Sequence, residues 1–65
     1  MNDFEKLIRK TLIDRNMSIR DLAIALDISQ AYIYDIFKGN RPGAKQKQRM
    51  IKFLGLEEVR LNADS

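Results

Sequence analysis

Residues 38 to 52 carry six cations, Lys38, Arg41, Lys45, Lys47, Arg49 and Lys52, and no acid. Residues 1 to 37 carry five basic and six acidic groups, close to neutral. A cationic run of this kind is the expected footprint of a polyanion site, or more plainly of a solvated helix face. The net charge of +3 says less than this distribution does. Covalent and acid–base chemistry find no support. The chain has no His and no Cys, which removes the usual zinc ligands and the thiol nucleophile. Asp14, Asp21, Asp27 and Asp35 fall at helix caps and surfaces, not in a facing pair. The expectation is a protein without catalytic residues, metal, cofactor or small-molecule substrate.

Sixty-five residues make one small domain. Without disulfides or a metal, a chain this short depends on tightly packed helices, with or without self-association. The longest apolar-rich run falls far short of the ~20 residues that span a bilayer. Met1 leads straight into a charged amphipathic pattern, so no signal peptide is expected and the expected location is cytoplasmic. No repeat, low-complexity segment or strand-period alternation is visible.

The elements that must position the cations follow from caps and periodicity. A first helix is expected from about Asp3 to Arg15, capped by Asn2 or Asp3, with Asn2 and Glu5 as a capping box. Phe4, Leu7, Ile8, Thr11 and Leu12 form its buried stripe, and Asn16 is its left-handed stop. A second helix starts after Ser18, whose spacing to Asp21 is another capping signal. Leu22, Ala23 and Leu26 face inward, Ile24 faces outward, Asp27 ends the helix, and Ile28 fills the angle beyond it. A third helix follows Ser29 and runs to about Lys38. Ile33, Ile36 and Phe37 point inward, Tyr32 is partly covered, and Gln30, Ala31, Tyr34, Asp35 and Lys38 point outward. "KGNRPG" is turn chemistry, its glycines expected at positive φ. A fourth helix covers about Ala44 to Leu54 with Met50, Ile51, Phe53 and Leu54 apolar. Leu56 to Leu61 could add a short fifth helix, so the domain is expected over residues 1–61 with a loose tail at 62–65.

From Ile8 to Leu56 these residues resemble the phage repressor and Cro type of helix-turn-helix, the lambda repressor-like or XRE-type family. The likeness is carried by Ser18, Leu22-Ala23, Leu26, Asp27, Ile28, Ser29, Tyr32-Ile33, Gly39, Arg41-Pro42 and Leu54-Gly55-Leu56. It implies an all-α, compact four- to five-helix domain with the helix-turn-helix at helices 2 and 3. It also implies that helix 3 lies in the major groove of DNA, its N-terminal residues at base edges. The base-reading positions would then be Gln30, Ala31, Tyr34 and Asp35. The backbone positions would be Ser29, Tyr32, Asn40 and Arg41, with Lys38 and Lys45. Gln30 can bond bidentately to adenine, Ala31 can meet a thymine methyl, and Asp35 can only accept, as from a cytosine amino group. Tyr34 can stack or donate one bond.

Three departures from the family pattern stand out. Ile19 occupies the first position of helix 2, where many members place a phosphate-binding Gln. Asp27 replaces the usual turn Gly, at a cost of about 1 kcal/mol for the left-handed backbone. Leu12 and Phe37 stand where several phage members pair an Arg with a Glu. Replacing a buried ion pair by packed apolar groups is often neutral or stabilising by ~1–4 kcal/mol, so these two side chains are expected to touch.

Two functions compete on this scaffold. One is a DNA-binding regulator, acting as a homodimer on a symmetric operator. The other is a protein-binding module, an antirepressor or antitoxin-like partner of a repressor. It would use Ile19, Ile24 and Tyr34 with Ala31, Tyr32 and Asp35, a surface more apolar and aromatic than a DNA face normally is. A basic helix 4 lying on a membrane is the weakest reading, because its apolar stripe is needed inside.

Overall fold

A computed structural model describes residues 2–57. Four helices follow one another: α1 (Asp3–Asp14), α2 (Ile19–Leu26), α3 (Gln30–Lys38) and α4 (Ala44–Phe53). They agree with the expected elements to within one residue at each end. Leu56 and Glu57 are helical where the description stops. The remainder of the expected fifth helix and the tail lie outside the described residues.

Each of the first three helices starts on a side-chain cap. Asn2 Oδ1 accepts the Glu5 amide at 2.7 Å, and Ser29 Oγ accepts that of Tyr32 at 3.0 Å. Ser18 and Asp21 form the reciprocal box: Asp21 N–H donates to Ser18 Oγ at 3.0 Å, and Ser18 N–H donates to Asp21 Oδ2 at 2.9 Å. The Ser18 amide, and then its hydroxyl and Arg20, hold the Asp21 carboxyl below its ordinary 3.8. The expected box at α1 is only half made. Glu5 does not reach back to the cap, because its carboxylate takes Arg9 Nε at 2.8 Å, the i,i+4 pair that α1 offers it.

The same three helices end alike. Asn16, Asp27 and Gly39 are left-handed, with φ of 58°, 57° and 78°. At each end an amide bonds back five residues: Met17 to Leu12, Ile28 to Ala23 and Asn40 to Asp35, at 2.8, 3.0 and 2.9 Å. Distant side chains cover further terminal carbonyls. Asn2 Nδ2 donates to Phe37 O at 2.6 Å, Arg49 Nη2 to Leu26 O at 2.7 Å, and Arg15 Nη2 to Leu54 O at 2.7 Å. These three bonds tie the end of α3 to α1, that of α2 to α4, and that of α4 to the end of α1.

The core is continuous. Ile8, Leu22, Ile33, Ile36, Met50 and Leu54 are fully buried, and Leu12, Ala23, Leu26, Phe37 and Leu56 nearly so. Each large aliphatic side chain buried this way contributes about 1.5–3 kcal/mol. Leu12 and Phe37 are both buried in this core. The structure adds a cation over Phe37: the Arg9 guanidinium stands 5.6 Å from the centre of its ring. Two expectations need correction. Leu7 and Phe53 are exposed, because burial on α1 follows the four-residue row Phe4, Ile8, Leu12, and on α4 it follows Met50 and Leu54. Positive φ explains Gly39 but not Gly43, whose φ is −120°.

Gly43 is needed for space. A Cβ there would stand 2.9 Å from both Cγ atoms of Ile36, which is buried and β-branched and cannot yield. Gly43→Ala should therefore lower the unfolding free energy by about 1–3 kcal/mol. Urea unfolding measures this; an unchanged midpoint would show that the loop has room the structure lacks.

Candidate nucleic-acid interface

The surface to be tested is the outer face of α3 with the loop that follows it. The left-handed Asp27 ends α2, and two residues on the Ser29 cap starts α3. Ile33, Ile36 and Phe37 then seal its inner face. This leaves Gln30, Ala31 and Lys38 exposed, Tyr34 just exposed and Asp35 half-exposed. Tyr32 is partly buried and packs on the core edge. Ser29 Oγ is occupied as an acceptor, and its hydroxyl hydrogen remains able to donate. Asn40 and Arg41 follow in the loop, and Lys45 lies exposed in the first turn of α4.

The side chains on this face are organised by aromatic rings. The Tyr34 ring meets the Phe37 ring edge-on, with centroids 6.5 Å apart and planes at 78°. Arg9 reaches across from α1 to stand 5.9 Å from the Tyr34 centroid, so Tyr34 leans on a cation and a core ring. Arg41 Nε donates to Asp35 Oδ2 at 3.2 Å, and its guanidinium carbon lies 5.1 Å from the Tyr32 centroid. Sequence reasoning missed Arg9. Its i,i+4 spacing to Glu5 was readable, but its stacking across to α3 is set by helix packing that periodicity does not report.

The cationic segment divides in two. Arg41 is paired, Lys47 stands 5.2 Å above the Phe4 ring, and Arg49 bonds Gln46 Oε1 at 2.8 Å and the Leu26 carbonyl. Among the described residues, Lys38, Lys45 and Lys52 form no ion pair and are exposed. The reading of this run as either a polyanion footprint or a solvated face thus meets a third role, in which Lys47 and Arg49 hold the fold together.

The candidate protein-contact residues are also placed. Ile24 is 67% exposed, while Ile19 packs on the core and lines an open groove of about 240 Å³ with Arg9, Leu12, Ile13, Met17 and Ser18. Among the described residues there is no group of three or more His, Cys, Asp or Glu that could hold a metal ion. No helix in them is long and apolar enough to cross a membrane.

A short capped helix, a left-handed turn and a second helix with one sealed and one open face define a helix-turn-helix domain. The chain matches the Helix-turn-helix family over residues 8–61 and belongs to it, the lambda repressor/Cro-like, XRE-type family. This is a family of DNA-binding regulators, typically non-enzymatic. No curated protein and no solved structure matches the chain.

Arg49→Ala should cost about 1–3 kcal/mol of stability, because it leaves the Leu26 carbonyl without its charged donor. Lys45→Ala should leave stability within about 0.5 kcal/mol of the parent. Thermal unfolding of the two variants checks the division; equal losses would contradict it.

Proposed function

We propose that the chain is a sequence-specific transcription regulator of phage repressor or Cro type, which lays α3 in the major groove of duplex DNA. One observation carries this reading: in a family of DNA-binding regulators, α3 leaves Gln30, Ala31 and Tyr34 exposed and Asp35 half-exposed, with Arg41 on Asp35 and Lys38 and Lys45 exposed as well. Gln30 at the start of the helix would take adenine, Ala31 a thymine methyl, and Tyr34 a base edge or a stacked contact. Asp35 is an acceptor on the same face. Ser29, Tyr32, Lys38, Asn40, Arg41 and Lys45 would fix the register on phosphates.

One copy offers few base contacts. The proposal therefore includes a homodimer on two half-sites about 34–36 Å apart, acting in the cytoplasm. The competing assignment is a protein-binding module that grips a repressor through Ile24 and Tyr34. Ile24, an aliphatic side chain left largely in water, is the observation in its favour.

Titration with duplex DNA at several salt concentrations separates the two. Neutralising about three phosphates per copy gives a log–log slope of about −2.7, near −0.9 for each. Lys45→Ala should make the slope shallower by about one phosphate's share. Tyr34→Ala should alter sequence preference. Undetectable binding at low salt, together with stoichiometric co-purification of a repressor, would replace this proposal with the protein-binding one.

A further inference from the structure

Asp35 is an odd residue for a face that meets phosphates, since a bare carboxylate there is repelled. It does not stand bare. Gly39 reverses the chain at φ 78°, Asn40 N–H donates to Asp35 O at 2.9 Å, and the loop is brought back against the last turn of α3. Arg41 then lies with its Nε–H on Asp35 Oδ2 at 3.2 Å and its guanidinium 5.1 Å from the Tyr32 centroid. The contact is made through Nε. A guanidinium held by that one hydrogen keeps the four N–H donors of its two terminal nitrogens. Two of them form the outer edge that matches two oxygens of a phosphate. The carboxylate and the ring thus contact the guanidinium from two sides, the one at its Nε and the other near its central carbon.

We propose that Asp35 is a positioning residue that acts on DNA through Arg41. It holds the Arg41 fork against Tyr32 in the orientation in which its outer edge takes a backbone phosphate. This rests on the DNA-binding reading above and deepens it. Asp35 then influences binding through Arg41, in addition to any base its carboxylate meets, and Tyr32 serves as the plate on which the guanidinium is set. The pair is open to water, with side-chain exposures of 58% and 36%, so it contributes little to folding. Its use is to spare Arg41 the rotamer freedom a long side chain otherwise loses on binding.

The alternative account of the same contact is masking, in which Asp35 ties up a cation that DNA would otherwise use. The two accounts give opposite signs in a double-mutant cycle on Asp35→Asn and Arg41→Ala, with affinity for a mixed-sequence duplex measured at fixed low salt. Removing the carboxylate relieves repulsion in both backgrounds. If Asp35 positions Arg41, that gain is offset where Arg41 is present, so Asp35→Asn should help less, or harm, by at least about threefold relative to the Arg41→Ala background. Masking predicts a larger gain where Arg41 is present. A coupling of that sign, or none, overturns the proposal.

Arg41→Lys gives a second reading. Lysine keeps the charge but has no Nε–H beside a fork, so Arg41→Lys should bind more weakly than the parent, though less weakly than Arg41→Ala, which also loses the charge. Parental affinity in Arg41→Lys overturns the proposal as well. Parental protein that binds no duplex at low salt removes the underlying DNA-binding reading, and this inference falls with it. Binding with zero coupling removes this inference alone. Unchanged thermal midpoints in all the variants show that the cycle reports on binding and not on folding.

Discussion

The turn between α2 and α3 is the constraint on which the site depends. It is built from a left-handed Asp27, the Ile28-to-Ala23 backbone bond that closes α2, and the Ser29 cap that opens α3. An aspartate at φ 57° costs backbone energy that a glycine would not. That cost is met by burial on both sides, with Leu22, Ala23 and Leu26 on one helix and Ile33, Ile36 and Phe37 on the other. Because α3 is sealed along its inner edge, its outer edge has one orientation, and the residues offered to a partner are fixed by the periodicity of the helix. Arg49 fastens the same corner from outside by covering the Leu26 carbonyl.

A chain of this size cannot rest on a large core, and it compensates at the helix ends. Side-chain caps start three of its helices, and left-handed residues with five-residue return bonds end the same three. Asn2, Arg15 and Arg49 cover further terminal carbonyls from a distance. Each such bond is worth only about 1 kcal/mol, more for a charged donor. Together they set how the helices abut, which the aliphatic core by itself specifies less strictly.

Much of this was legible in the amino-acid sequence. Ser18 with Asp21, Ser29, Asn16, Asp27 and Gly39 marked the helix ends because capping and left-handed turns are local chemistry. The burial of Leu12 and Phe37 was legible from the periodicity of their helices. What escaped was non-local. Lys47 and Arg49 read only as part of a cationic run, polyanion footprint or solvated face, and Arg15 only as a helix end, since it is the packed helices that bring them to a carbonyl or a ring. Arg9 and its stack on Tyr34 and Phe37 were invisible for the same reason. The Asp35–Arg41 pair depends on the chain reversal at Gly39, which spacing announces without saying what the reversal brings together. Gly43 was read as a turn residue, yet its constraint is the Ile36 side chain across a close approach.

The central claim is that the outer face of α3 and the loop after it, and no other surface, receive duplex DNA. Amide and side-chain chemical-shift mapping of the folded protein on addition of a duplex tests it most directly. The account predicts that the largest changes cluster on Ser29 to Tyr32, Tyr34, Asp35 and Asn40 to Lys45, with the Arg41 Nε–H among them. Changes centred on Leu7, Ile13 and Ile24, with α3 silent, would contradict it.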